Sequence, residues 1–215
     1  MNDLSFTFCE TRCIARASGA LYLPDHNVLC VSDLHLGKAD RIARRSGRML
    51  PPYEVQQTLE KLDSDLQATQ PDCVICLGDS FDDLDAAGSL DEQMRLWLAR
   101  MQAGRRWVWI EGNHDPGPVD LGGSHLDAVT IGALTFRHIA TDAHAEVSGH
   151  YHPKHRITGA SRPAFLFDHD RMILPAYGTY TGGLASTSPD LRRLFSTPPM
   201  AIMTGRKAIA VPVTA

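Results

Sequence analysis

Four apolar runs end the same way, and that shared ending constrains the fold more than any other feature. "NVLCVSDLH", "DCVICLGD", "RRWVWIEGNHD" and "AEVSGHYH" each carry a stretch suited to a buried strand and then break into acids, histidines or an asparagine. In an extended chain successive side chains alternate faces, so Asp33 and His35 project from one side where the first run ends. A sheet that aligns such strands brings Asp33, His35, Asp79, Asn113, His114, Asp115, His150 and His152 to one edge. His138, which ends the apolar segment of "ALTFRH", joins the same group.

The first half of the chain alternates β and α patterns. "KADRIARRSG" and "PPYEVQQTLEKLDSDLQAT" read as helices, the second with Val55, Leu59, Leu62 and Leu66 at helical spacing. "SLDEQMRLWLARMQ" reads as a third, with Leu90, Met94, Trp97, Leu98 and Met101 in one apolar stripe. The second half is mainly short strands. The pattern predicts an α/β chain of two packed β-sheets with helices on the outer faces. A length of 215 residues and a hydrophobic content of 43% suit one domain over residues 1–215.

The formal net charge of −4 argues against a broad basic coat for nucleic acid, although Lys38, Arg41, Arg44, Arg45 and Arg48 cluster just after the first motif. That cluster reads either as a solvated helix face or as a phosphate-contacting patch. Five cysteines, an odd number, do not form a secreted disulfide framework. "CVIC" lies inside a buried-strand pattern with no second pair, so Cys73 and Cys76 read as packing residues. Trp107 and Trp109 share a face and read as core. No apolar stretch has secretory or membrane-spanning character, so the expected location is the cytoplasm, away from membranes.

Oxygen and imidazole donors without thiolate suit manganese, iron or zinc, and so many ligands suit two ions sharing a carboxylate. The order "DLH", "GD", "GNHD", a lone His, then "GHYH" resembles the calcineurin-like metallophosphoesterase superfamily from Asp33 to His152. That resemblance implies a four-layer fold, two mixed β-sheets flanked by helices. It implies a first divalent metal on Asp33, His35, Asp79 and His152, and a second on Asp79, Asn113, His138 and His150. His125 and His144 compete with His138 for the lone-His position, while His155 and His169 read as surface residues. The expected reaction is in-line attack on phosphorus by a hydroxide held between the metals. His114, fixed by Asp115, would stabilise a nonbridging oxygen or protonate the leaving oxygen.

Finer features narrow the resemblance. "DLHLGKAD" with its Arg-rich continuation, "LPPYE", "GHYHP" and "ILPAYGTYTGG" resemble the bacterial ligase-associated metallophosphoesterases, encoded with a DNA ligase, an exonuclease and a helicase in a repair cluster. The resemblance implies a manganese-dependent DNA endonuclease, with single-stranded DNA and those three enzymes as partners and a homodimer as a possible assembly. Tyr177 and Tyr180, with Gly178, Gly182 and Gly183, read either as a base-stacking loop at the rim or as a tight turn. Two other functions compete: a small-molecule phosphodiesterase or phosphatase, and a noncatalytic scaffold. The intact donor set argues against the scaffold.

Overall fold

Strand alternation sorts the chain into layers. In the computed structural model, which describes residues 2–39, 41–42, 47, 53–83, 88, 90–117 and 120–214, the first sheet follows sequence order. Strands β1 (Leu4–Phe8), β2 (Thr11–Ala15), β3 (Leu21–Leu23) and β4 (Val28–Val31) pair antiparallel. From β4 the sheet continues in parallel through β5 (Cys73–Leu77), β6 (Arg106–Ile110) and β7 (Ser124–Leu126). Parallel strands need long crossovers, and helices α1 (Glu54–Thr69) and α2 (Glu92–Gln102) lie in them.

Both helices cover the outer face of that sheet. Leu59, Leu62 and Leu66 of α1 and Met94, Leu98 and Met101 of α2 pack on Leu29, Val31, Val74, Cys76, Trp107 and Trp109. Asp91 caps α2 by accepting the Met94 N–H at 2.8 Å, and Gln70 ends α1 in the left-handed conformation. The helix expected over "KADRIARRSG" begins with helical residues at 38–39 and 41–42, and most of its remainder lies outside the described residues. Among the described residues no helix is long and apolar enough to cross a membrane.

The second sheet comprises β8 (Ala128–Ile131), β9 (Leu134–Arg137), β10 (Glu146–Ser148), β11 (Lys154–Ile157), β12 (Ala160–Phe167), β13 (Arg171–Ile173), β14 (Met200–Met203) and β15 (Ile209–Pro212). Its order is β15-β14-β12-β13-β10-β9-β8, with β11 pairing off this path onto β12. Strand β10 is parallel to both neighbours and the other pairs are antiparallel, so both sheets are mixed. Its outer face is covered by a single-turn helix α3 (Pro189–Arg192) and the segment after it, through Leu191, Leu194 and Phe195.

The main core fills the seam between the sheets. Leu21, Leu23, Cys30, Ile75, Val108 and Ile110 of the first meet Phe136, Val147, Phe165, Met172 and Ile202 of the second. Each fully buried Leu or Phe there contributes about 1.5–3 kcal/mol of transfer free energy. The pleat also disposes of the "CVIC" spacing. Cys73 faces this seam while Cys76 faces the helices, so the two thiols cannot share a ligand. Strands β7 and β14 and helix α3 have no counterpart in the pattern read from the sequence; β7 is only three residues long and carries Ser124 and His125.

Candidate metal centre

The strands that are parallel in the first sheet release their chains at one edge. Beyond β4 and β5 the two loops stay side by side: the Asp33 N–H donates to Gly78 O, the His35 N–H to Asp79 O and the Leu36 N–H to Ser80 O. These bonds hold the backbone in an unusual shape. Asp33, His35, Asp79, His150 and His152 all have φ between 46° and 69°. That left-handed region costs a non-glycine residue about 1–2 kcal/mol, and such strain gathers where geometry serves function. Gly78 fits the same turn with φ of 75°, and a Cβ there would strike the His138 ring.

Three groups of donors result among the described residues, one of them, His35, Asp82 and His114, sharing His35 with the first of the two that follow. Asp33, His35 and His152 form one, and Asp79, His138 and His150 the other, with ligand atoms within 4.8 Å inside each. In the first, His152 Nε2 lies 3.0 Å from Asp33 Oδ1 and 3.2 Å from His35 Nε2. In the second, His138 Nε2 lies 3.3 Å from Asp79 Oδ2 and 3.0 Å from Asn113 Oδ1. Asp79 Oδ2 is also 4.0 Å from His35 Nε2, so it faces both groups.

Tautomer logic makes these groups fit cations. His35 Nδ1 lies 2.9 Å from Asp82 Oδ1, and His138 Nδ1 lies 3.1 Å from Leu77 O. Each acceptor fixes the proton on Nδ1 and leaves the Nε2 lone pair pointing at other lone pairs. His150 Nδ1 is buried and has no hydrogen-bond partner. Converging lone pairs and an orphaned ring nitrogen are what a divalent ion satisfies, and the O and N donors suit manganese, iron or zinc.

Charge reinforces the arrangement. Burial raises Asp79, but the hydrogen bond and charge of His138, the His114 N–H and His35 outweigh it, bringing the carboxyl down to about 2. Burial likewise raises Asp33, and His152, His138 and Ser32 hold it below its ordinary value. His138 is depressed by burial but raised overall by Asp79 and Asp33. A proton and a cation therefore compete for the same place.

His114 sits beside both groups. Its N–H donates to Asp79 Oδ1 at 2.9 Å and its Nδ1 lies 3.0 Å from Asp82 O, which leaves Nε2 free. The expectation that Asp115 fixes His114 needs correction. Asp115 instead accepts the N–H groups of Ser80, Phe81 and Gly112 at 2.8–3.1 Å, bracing the Asp79 loop from below. Burial and the nearby Asp79 charge push its carboxyl up to about 6 against the pull of those N–H bonds.

Asp82 escaped the sequence reading, although the spacing in "GDSFD" was its signal. It is buried, holds His35 Nδ1 and accepts from Arg41, which lowers its carboxyl despite burial. Arg41 is thus committed to the metal centre's support rather than to an open surface. Lys38 is half-buried just past the His35 loop, and Arg44, Arg45 and Arg48 lie outside the described residues.

Tyr177 also needs correction. Its ring is fully buried under Lys61, whose Nζ is 3.8 Å from the ring centroid, and its hydroxyl donates to Asp65 Oδ2 at 2.8 Å. It cannot stack a base. Its N–H donates to Ser32 O, and the Gly178 N–H to Asp33 O, so this turn backs the first ligand loop. Tyr180 is 43% exposed at the surface. Among the remaining histidines, His125 stacks on Trp109, while His144 and His169 are exposed beside Asp170. His155, expected at the surface, is buried with Nδ1 2.7 Å from Ser186 Oγ.

Comparisons with known proteins bear on the fold and the family. A solved structure, a nuclease MPE from Pseudomonas putida, matches with a TM-score of 0.78 and 24% identity, covering 99% of this chain and 100% of that one. A predicted phosphoesterase from Streptococcus pneumoniae TIGR4 matches with a TM-score of 0.34 and 12% identity, covering 86% of this chain and 97% of the other. No curated protein matches. The family model for calcineurin-like phosphoesterases matches residues 26–186, a span that begins two residues before β4 and runs past every donor described above. The chain therefore belongs to the calcineurin-like phosphoesterase family.

Proposed function

We propose that this phosphoesterase is a DNA endonuclease that hydrolyses phosphodiesters with two divalent ions, manganese first among the candidates. The observation that carries the reading is the pair of lone-pair clusters joined by Asp79, with the free Nε2 of His114 beside them. The first ion would lie on Asp33, His35, Asp79 and His152 and the second on Asp79, Asn113, His138 and His150. Bound divalent ions supply Lewis acidity and water activation near neutral pH.

The chain's own residues do the rest. Asp33 and Asp79 stay ionised at neutral pH because their carboxyls are held low, so they hold cations without a proton to displace. Asp82 keeps His35 in one tautomer. The Asp82 carbonyl does the same for His114, whose Nε2 then faces the phosphate to stabilise a nonbridging oxygen or to deliver a proton to the leaving oxygen. Lys38, half-buried just past the His35 loop, and exposed Tyr180 are the described residues left to contact the strand. The Pseudomonas putida protein is a nuclease, and sharing its fold end to end supports a nucleic-acid substrate. Single-stranded DNA, work beside a ligase, exonuclease and helicase in repair, and a cytoplasmic location complete the proposal.

Closed circular single-stranded DNA tests it, incubated with the protein and manganese beside His114→Ala and a metal-free control. Circles have no ends, so linear products require internal cutting. We expect the wild type alone to linearise them. Surviving circles with a hydrolysed small diester would move the substrate to small phosphodiesters.

A further inference from the structure

A second polar pocket lies directly behind the metal-ligand loop. Strand β11 begins two residues after His152 and takes partners on both sides: Arg156 pairs with Ser161 of β12, and the Lys154 N–H donates to Leu184 O on the other edge. The pleat puts Lys154, Arg156 and Ser161 on one face, with Ala185 bridged beside Lys154. His155 alternates to the other face of the strand, and it and the Ser186 hydroxyl it holds still border the cavity. The cavity measures about 200 Å³ and is lined by Lys154, Arg156, Ser161, Gly183 and Thr187 among others.

Its chemistry differs from that of the chain around it. No carboxylate lines it among the described residues, in a chain whose net charge is −4. Lys154 Nζ donates to Thr181 O at 3.1 Å and keeps two further protons free to donate, while exposed Arg156 offers its whole guanidinium fork. Two cations and two hydroxyls with no competing acid suit a tetrahedral oxyanion. Gly183 joins this pocket to the metal centre. A Cβ there would collide with His152 O on one side and approach Lys154 Cε to 3.1 Å on the other.

We infer that this pocket binds a backbone phosphate of the DNA strand, about two nucleotides away from the bond being cut. The inference rests on the endonuclease reading above. Two residues of extended chain span about 7 Å, which is on the order of two stacked nucleotide steps of about 3.4 Å. Lys154 therefore stands at a strand-sized distance from His152. Arg156 and Lys154 grip the phosphate, and Ser161 and Thr187 donate from the flanks.

Arg156→Glu tests the pocket, with Arg162→Glu as a matched charge reversal on the opposite face of the same hairpin. Cleavage of a single-stranded oligonucleotide and of a small chromogenic diester is measured for each, with and without inorganic phosphate, across a salt series. For Arg156→Glu we expect the oligonucleotide KM to rise about tenfold with a shallower salt dependence, while the small diester changes by less than about twofold. Arg162→Glu leaves both substrates near wild type, and Arg156→Lys restores most of the loss. Equal effects from the two reversals would reduce the result to general charge and overturn the pocket. An unchanged oligonucleotide KM, with altered phosphate sensitivity on the small diester, would assign the pocket to a free anion instead. Wild type that turns over the small diester but leaves the oligonucleotide intact removes the endonuclease reading and the subsite together. Wild type that cuts the oligonucleotide with an Arg156-independent KM removes the subsite alone.

Discussion

The two sheets bring different chemistry to the same edge. The first ends β4, β5 and β6 in oxygen donors, Asp33, Asp79 and Asn113, with His35 as its one imidazole in the two clusters. The second supplies only nitrogen there, through His138 after β9 and His150 and His152 after β10. Each cluster takes carboxylate from one sheet and imidazole from the other, so neither sheet carries a working half. The centre is a product of how the sheets pack, and the seam of Ile75, Ile110, Phe136 and Val147 sets its dimensions.

The strongest way to break this comparison is Asp79→Ala. Asp79 is the oxygen that faces imidazoles of both clusters, so activity should fall to the metal-free background on DNA and on a small diester alike. Retained turnover on either substrate would mean that one cluster works without the shared carboxylate. A smaller effect sharpens the role of His35, the imidazole that the first sheet gives to those two clusters. Asp82→Ala frees His35 to change tautomer and should weaken manganese binding by about 10–100-fold in a competition titration. Unchanged affinity would show that the second sheet's rings suffice.

The smallest effect concerns a half-buried charge on the first sheet's flank, Lys61 of α1. Burial brings Lys61 down from 10.5 to about 8, with Asp65 opposing only in part. Its charged form is disfavoured in the folded chain, so below about pH 8 the cost is present in full, and it fades as pH rises toward 10.5. Thermal melts of metal-free Lys61→Met and wild type should therefore differ most in the variant's favour near pH 7. The difference should shrink toward pH 10, at about 2–4 °C per kcal/mol. A gap independent of pH would show that Lys61 acts only through its contacts with Tyr177.

What the sequence revealed and what it hid follow one physical rule. The donors at the strand ends could be read because each lies next to its own apolar run, and strand direction alone carries them to an edge. The choice among His125, His138 and His144 depended on which strands pair. His138 follows β9, which lies beside β10, whereas His125 lies within β7 at the far edge of the other sheet, stacked on Trp109. Asp82 was hidden in an acidic run of sequence with Asp83 and Asp85, where only the distant His35 singles it out. Tyr177 looked like a rim residue because its turn is rich in glycine, yet Asp65, 112 positions earlier, draws its hydroxyl inward. Long-range polar partners leave no local pattern to read.

The sealing of the cysteines has a practical consequence at the bench. Cys30 and Cys76 are fully buried with their thiols held well above the ordinary value by burial, and Cys13 is pushed up to about 12 the same way. Burial also raises Cys73 and Cys9, the latter helped by Asp170, Asp168 and Glu10. Thiolate, the species that air oxidation and alkylation consume, is therefore scarce at all five positions. The protein can be purified and assayed without dithiol reductants, whose soft sulfurs would otherwise compete for the ions that the nitrogen and oxygen donors are built to hold.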